Sequence, residues 1–340
     1  MDILKQTVGV DVSKDTLLVS LGTLDQNLNI NYLFNQSFSN TLAGIDKLIA
    51  KVSQLQLTDK PGYWVMEATG VYHQRLAYRL HETGHKVCIL LPNKAKSFCK
   101  SINQRAKTDK IDARLLCQLG LERKLDAWTP PDPLWQQVRA LTREREQLVE
   151  QRTRLKNRRH ALKRSTYQPR TTQSRLDEQI SLINTQIRQL ERELGQLIGS
   201  KKQIKQKVDN ICRAKGIKLV TVATVLAETD GFSLIRNQRQ LVAYSGLDVG
   251  IVESGGKVVR KGITKKGNAH IRKALYMPAM SASQSNQNFK DRYQKLSERL
   301  KINKQAVVAI ARKLLILIYS LWKSGEEYDP ERNCLTLDTV

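Results

Sequence analysis

Residues 134–211 carry the pattern that most constrains this fold. Leu134, Leu141, Leu148, Leu155 and Leu162 recur every seven residues, which sets them on one seam of a helix. The alternate seam positions are Val138, Arg145, Arg152 and Arg159, so the seam is half apolar and half basic. A second stretch keeps three-four spacing through Leu176, Ile180, Ile183, Ile187, Leu190, Leu194, Leu197, Ile204, Val208 and Ile211, with Lys201 its polar exception. Tyr167-Gln168-Pro169 interrupts the pattern. The spacing predicts two helices folded back as an antiparallel coiled-coil hairpin, each arm reaching roughly 45–50 Å at ~1.5 Å per residue. A two-helix hairpin has little core of its own. It is expected to join copies of the chain into a dimer or tetramer, or to lie on nucleic acid.

The segments on either side differ in texture. Residues 1–129 open with strand-like runs at Thr7–Val12, Thr16–Gly22 and Asn29–Phe34, then a helical pattern at Leu42–Val52. Apolar strands at Tyr63–Met66 and Lys86–Leu91 alternate with helical patterns at Val71–Glu82, Asn93–Ile102 and Lys110–Leu121. Early antiparallel strands followed by βα units predict an α/β domain with a mixed sheet, the order of an RNase H-like (RuvC-like) fold. Trp128-Thr129-Pro130-Pro131-Asp132-Pro133 reads as a linker. Residues 212–340 read as a compact, mainly α-helical and basic domain. Three domains follow: 1–129, 130–211 and 212–340. Within the last, Lys215-Gly216-Ile217 before Leu219–Leu226 suggests a weak helix-hairpin-helix element, in which a glycine turn and helix N-termini meet phosphate. Helical patterns follow at His270–Ser281 and Asn303–Leu321.

The partner class follows from charge. The 340 residues carry 57 Lys and Arg against 32 Asp and Glu, a formal net charge of +25. Such an excess points to a polyanion, and nucleic acid is the expected one. A membrane surface would need an amphipathic basic helix rich in Trp and Phe, or a long apolar span. The longest apolar run, near Ala306–Trp322, is interrupted by Arg312 and Lys313 and reads as a buried helix. The 5 scattered cysteines form no CxxC, so no disulfide framework is expected, and a reducing cytoplasm is.

Against this basic background four acids stand out. Asp11 ends one apolar strand and Glu67 follows another, while Asp109 and Asp112 lie three apart on one face of a starting helix. Singly, each reads as a turn residue, a cap or a surface ion-pair member; Asp112 could pair with Lys110 or Arg114. Jointly, carboxylates beside buried strands need a partner, and hard oxygen donors suit Mg²⁺, with Mn²⁺ as substitute. Such an ion can position and polarise a phosphodiester.

Gly9-Val10-Asp11-Val12-Ser13-Lys14, Met66-Glu67-Ala68-Thr69-Gly70 and Lys107-Thr108-Asp109-Lys110-Ile111-Asp112-Ala113 resemble the signature of DEDD-type insertion-sequence transposases, a family that includes Piv-type DNA invertases. The resemblance continues through Tyr244-Ser245-Gly246-Leu247, Glu253-Ser254-Gly255, Ile263-Thr264-Lys265-Lys266-Gly267-Asn268 and Arg272-Lys273-Ala274-Leu275-Tyr276. It implies a site-specific recombinase of a bacterial mobile element, acting on donor and target DNA. Asp11, Glu67, Asp109 and Asp112 would hold the metal, and a C-terminal serine would be the nucleophile. It also implies a noncoding bridge RNA as guide, and a site assembled from the metal domain of one protomer and the serine of another. Two serines compete. Ser245 sits in an apolar run and looks like packing, whereas Ser254 lies in a Gly- and Lys-rich segment read as a flexible loop; matching the run from Ala243 to Tyr276 to the family places the nucleophile at Ser254. Lys257, Arg260, Lys261, Lys265, Lys266, Arg272 and Lys273 are the expected phosphate contacts. The alternatives are a RuvC-like junction-resolving nuclease without a serine intermediate, and a non-catalytic RNA-binding scaffold.

Overall fold

The computed structural model describes residues 2–55, 57, 62–68, 70–102, 109–254, 257–300 and 302–331. The chain divides into two units, Met1–Pro130 and Pro131–Val340.

The first unit opens with a meander of β1 (Ile3–Val12), β2 (Thr16–Asp25) and β3 (Ile30–Ser39). It continues through α1 (Leu42–Gln54), β4 (Tyr63–Glu67), α2 (Tyr72–Glu82), β5 (Lys86–Leu90), α3 (Pro92–Ser101) and α4 (Asp109–Glu122). The sheet order is β3-β2-β1-β4-β5, with the meander antiparallel and β1, β4 and β5 parallel. Alternation along the strands sends Val8, Val10 and Val12 to one face, where they pack with Leu17, Val19 and Leu21 of β2 and with helix residues Ile45, Leu48, Leu76 and Leu80. Thr7, Gly9 and Asp11 therefore take the other face, which α4 covers. Helix and strand meet at glycines. A Cβ on Gly9 would stand 2.2 Å from Ala113 O and Cys117 N, and one on Gly120 would stand 2.3 Å from the Thr7 side chain. No side chain fits between α4 and β1 at these points.

The second unit begins with α5 (Pro133–Arg164) and α6 (Arg170–Gly199), paired as an antiparallel helical hairpin. Pro133, read as linker, lies in the first turn of α5, where its missing N–H has no partner to lose. There follow α7 (Lys202–Cys212), α8 (Leu219–Glu228), α9 (Gln238–Ser245), β6 (Val249–Ser254), β7 (Lys257–Ile263), α10 (Ala269–Ser285), α11 (Gln287–Arg299) and α12 (Asn303–Ser324). One core joins Leu134, Trp135, Val138, Leu194 and Ile198 at the hairpin base with α7, α8, α10 and α12. Every residue of α8 from Thr221 to Glu228 is buried. By length and composition α12 could cross a membrane, yet Ile310, Leu314 and Ile318 on it are fully buried in this core.

Several expectations change here. The seam through residue 211 is not one helix: it breaks between Gly199 and Lys202, where Lys201 falls, and Val208 and Ile211 belong to α7 in the body. Hairpin and C-terminal helices share a core, so a boundary at residue 211 falls inside one packed unit. Ile180, Ile183, Ile187, Leu190 and Leu194 are all under 10 % exposed within the single chain, so the α6 seam expected to join copies is already covered. The Gly- and Lys-rich segment is not a loop but an antiparallel β-hairpin, β6–β7, with Ser254 paired to Lys257. Gly216 takes φ +98°, and a Cβ there would stand 2.9 Å from Ala282 on α10, so this glycine serves helix packing.

Candidate active site

The acids are placed by the sheet. Val10 pairs with Met66 in the parallel β1–β4 register, so Asp11 and Glu67 come next on neighbouring strands, at their carboxyl ends. Asp11 shares the α4 face with Gly9, and Glu67 shares it with Val65, whose side chain lies against Gly120 of α4. Helix α4 runs opposite to β1: Ala113 and Cys117 meet Gly9, while Gly120 meets Thr7 further back. The first turn of α4, with Asp109 and Asp112, therefore lies toward the strand ends that carry Asp11 and Glu67. This is the edge where ligands gather in open α/β sheets. Asp11, Glu67 and Asp112 are each half-buried. The Asp109 backbone begins α4, but its side chain lies outside the described residues. Among the described residues no three His, Cys, Asp or Glu side chains form a metal-holding cluster. Half-buried carboxylates at adjacent strand ends, on the face toward a helix start with two further acids, nonetheless fit a hard divalent cation in donor chemistry.

Beneath this edge lie cysteines, not nucleophiles. Burial pushes the Cys117 thiol up to about 12 and the Cys88 thiol up to about 11. Cys117 Sγ donates to Thr7 O at 3.2 Å.

One residue that sequence reading passed over, Asn40, ties the loops at this edge. Its Nδ2 donates to Ser13 O (2.9 Å), just past Asp11, and to Tyr72 O (3.2 Å), past Glu67. Its own carbonyl accepts from Arg75 Nη1 at 2.6 Å, and its backbone N–H reaches Asp15 O at 2.9 Å. Asn40 is 4 % exposed, and among the described residues its Oδ1 finds no hydrogen-bond partner. Ser39-Asn40-Thr41 between a strand and a helix reads only as a cap, which Thr41 in fact supplies. Gly9 did carry a signal, as an isolated glycine in a valine-rich strand marks a close approach.

In the second unit the two serines separate. Ser245 is fully buried and its Oγ donates to Val242 O at 2.8 Å, a packing role. Ser254 ends β6 at the turn of a two-stranded sheet. The side chains of Ser254, Lys257, Arg260 and Lys261 lie outside the described residues. Lys265 and Lys266 are exposed just past the hairpin, whose base Thr264 closes with Asp248 at 2.6 Å. Arg272 and Lys273, expected on phosphate, are engaged within the chain. Arg272 Nη1 donates to Ser245 O and Gly267 O at 2.7 and 3.0 Å, and Lys273 bridges Glu146 and Glu150 at 2.6 and 2.7 Å. Both stand at the start of α10, where the end of α9, the segment before α10 and α5 supply acceptors within reach.

The hub of this unit is Glu228. It is 2 % exposed and takes a two-pronged ion pair from Arg143 at 2.7 and 2.9 Å, plus Asn268 Nδ2 at 2.7 Å. Burial pushes the Glu228 carboxyl up, but the Arg143 and Asn268 hydrogen bonds and the Arg143 charge outweigh that and hold it below the usual range. Arg139 Nε and Nη2 cap the nearby Ala227 carbonyl.

Comparison with known proteins supplies the class. A family profile described as "Transposase", of the DEDD type, matches residues 8–167, and one described as "Transposase IS116/IS110/IS902 family" matches residues 208–294. The "Pilin gene-inverting protein" of Moraxella lacunata is 28 % identical over 331 residues, covering 96 % of this chain and 98 % of that protein. The "Transposase for insertion sequence element IS1328" of Yersinia enterocolitica is 23 % identical over 292 residues, covering 79 % and 81 %. Among solved structures, T. thermophilus RuvC in complex with Holliday junction substrate overlaps 34 % of this chain and 90 % of its own, at TM-score 0.26 and 10 % identity. That overlap is too slight to define the fold, which rests on the strand order above. The chain is an enzyme of DNA rearrangement, of the transposase and DNA-invertase class. Within that class it belongs to the IS116/IS110/IS902 transposase family.

Proposed function

We propose that this protein is a site-specific DNA recombinase of a mobile element, with an RNase H-like metal domain and a serine nucleophile. The observation that carries the reading is the edge where Asp11 and Glu67 end neighbouring parallel strands on the face covered by α4. Asp11, Glu67, Asp109 and Asp112 would hold Mg²⁺, which when bound polarises a phosphodiester and offsets its charge. Ser254, at the turn of the β6–β7 hairpin, attacks phosphorus. As its oxygen–phosphorus bond forms, the scissile phosphorus–oxygen bond breaks, and the leaving strand takes a proton as a hydroxyl. A hydroxyl from a second strand reverses the step, joins the exchanged strands and returns the serine. Lys265 and Lys266, with Lys257, Arg260 and Lys261, are placed in sequence around that hairpin to hold phosphates. The metal domain of one protomer and the serine of another complete each site, and a structured RNA supplies target choice by base pairing. The setting is the bacterial cytoplasm.

Two variants test the chemistry. With Ser254→Ala no protein–DNA adduct should form and exchange should stop; with Asp11→Ala binding should persist without cleavage. Full cleavage by Ser254→Ala with no covalent species would replace this reading with a metal-dependent junction nuclease. Strand exchange surviving Asp11→Ala would remove the metal domain from catalysis. Sequencing RNA that co-purifies from the native host tests the guide: a single abundant species encoded beside the gene is expected.

A further inference from the structure

The helical hairpin divides sharply by charge. Residues 133–150 hold three Arg and three Glu, and residues 176–199 hold four acids and two Arg. Between them, residues 151–175, the distal half of the hairpin, hold nine Lys or Arg and no acid. Eight of these nine, with Arg145 of the proximal half, fall into two rows. Arg145, Arg152 and Arg159 form an inner row, reaching across to Glu191, Asn184 and Asp177 of α6 at 2.7, 3.0 and 2.6 Å. Each rung steps one heptad along both helices, so the row fixes the hairpin's register. Arg154, Lys156, Arg158, Lys163, Arg164 and Arg170 form an outer set, and all are exposed.

The outer cations work against helix stability, both among themselves and against the inner row. Arg152 and Lys156, Arg154 and Arg158, and Arg159 and Lys163 are like-charge pairs four residues apart, and each pair destabilises an isolated helix. A solvated face would alternate sign, as the proximal half does. A second copy of the chain brings the same +25 excess and the same acid-free stretch, which adds like charge and not its complement. A lipid surface would want an apolar face to bury, yet Tyr167, 78 % exposed, is the one large exposed hydrophobic side chain described in this stretch. A nucleic-acid duplex offers what is missing. Residues 151–164 span ~20 Å at ~1.5 Å per residue, along which a duplex presents about a dozen phosphates at one per ~1.7 Å.

We propose that the distal half of the α5–α6 hairpin is a nucleic-acid arm, which lays its outer cations along the phosphate backbone of a duplex without reading bases. This extends the recombinase reading, but it depends on binding alone. The test is the full-length chain with Arg154→Gln, Arg158→Gln, Lys163→Gln and Arg164→Gln combined. Glutamine keeps the helix propensity and removes the charge. Binding to a 40-base-pair DNA duplex and to an RNA duplex of the same length is titrated across salt concentrations. The slope of log affinity against log salt should shrink by up to about 3–4, near one per lost contact. A decrease with both duplexes, or with one alone, supports the arm and tells which nucleic acid it serves. The melting temperature should hold or rise, because two of the three like-charge pairs are relieved. Arg152→Gln with Arg159→Gln is the control: the melting temperature should fall while the slope changes less than in the outer variant. An unchanged slope with both duplexes overturns the proposal. So does a changed oligomer by sedimentation with duplex binding intact, or a loss confined to phosphatidylserine vesicles. Failure of the recombinase chemistry would leave the salt slope of the wild-type chain unaltered, so the two failures are distinguishable.

Discussion

In the helical unit, Glu228 is 2 % exposed and answered by Arg143 and Asn268, and Glu146 is held by His270 and Lys273 at 2.5 and 2.6 Å. In the sheet unit, Asp11 and Glu67 end neighbouring strands on one face, and the next acids, Asp109 and Asp112, open the helix that covers that face. The first arrangement matches each carboxylate with a cation or amide from a distant part of the chain, and its product is a fixed geometry. The second places its acids by strand register and by the helix that covers the sheet, and oxygen donors so placed suit a hard cation in chemistry. The helical-unit acids serve the framework; on the proposed function, the edge acids serve the chemistry. That difference can be attacked from both sides.

The largest effect should come from the edge acids. Asp11→Ala should lower strand exchange by ~10⁴-fold, the scale on which removal of a central catalytic group operates, while the melting temperature holds. A large fall in stability would mean that Asp11 serves the framework. The check is exchange activity beside thermal unfolding of the same preparation.

Next is the seat of α4. Gly9→Ala places a methyl 2.2 Å from the Ala113 carbonyl, which is backbone and cannot step aside. The helix must lift, carrying Asp112 away from the strand ends. Overpacking of this kind destabilises by about 1–3 kcal/mol, and a ~1 Å misplacement can lower the rate by ~10²-fold. Activity should fall further than stability alone explains. Equal falls would show that the spacing of the acids is not what the glycine protects.

Much of this contrast was legible in the sequence, and the rest was hidden for identifiable reasons. The strands were readable because Val8, Val10 and Val12 alternate with small or polar residues, and the edge acids because they terminate those runs. The β6–β7 hairpin was missed because Gly and Lys mask a β-branched alternation: Val249 and Ile251 approach Ser254, and Val258 and Val259 leave Lys257. Helix α11 escaped because its sequence is almost wholly polar and only Phe289 is buried. Charge pairing was unreadable in principle. Arg143 lies 85 residues from Glu228, and Arg272 lies 27 from the carbonyl it holds, so nothing local separates them from the nearby lysines expected on phosphate. The break at residues 199–202 was present as Lys201, the one polar residue in an apolar seam.

From the framework side, Glu228→Ala should cost about 2–3 kcal/mol. That is less than the ~3–5 kcal/mol of a fully buried pair, because Arg143 remains 46 % exposed and regains water. Arg143→Met should lose more, since it strands a carboxylate that is 2 % exposed. Both losses should appear in the unfolding free energy of the helical unit. If either variant abolished exchange while leaving stability intact, Glu228 would have to be moved to the functional class.

The smallest expected effect is the response to acid, and it distinguishes the two uses of carboxylates most cleanly. Burial alone would raise the Glu228 carboxyl, but Arg143 and Asn268 overcome that and hold it below the usual range. A carboxyl lowered in the folded state contributes stability that is full above its unfolded value, ~4.3, and is lost as pH falls through the folded value. The wild-type helical unit should therefore weaken from about pH 4.3 downward. Glu146 adds in the same direction: burial raises it, and the Lys273 and His270 hydrogen bonds more than reverse that. Glu228→Gln, uncharged throughout, should show a shallower decline over that window despite its lower stability at neutral pH. Trp135 and Trp322 lie 6.0 Å apart in the helical core. With Trp64 and Trp128 replaced by Phe, their fluorescence follows this unit alone. Parallel acid profiles for wild type and Glu228→Gln would show that the Arg143 pair does not control the acid stability of the framework.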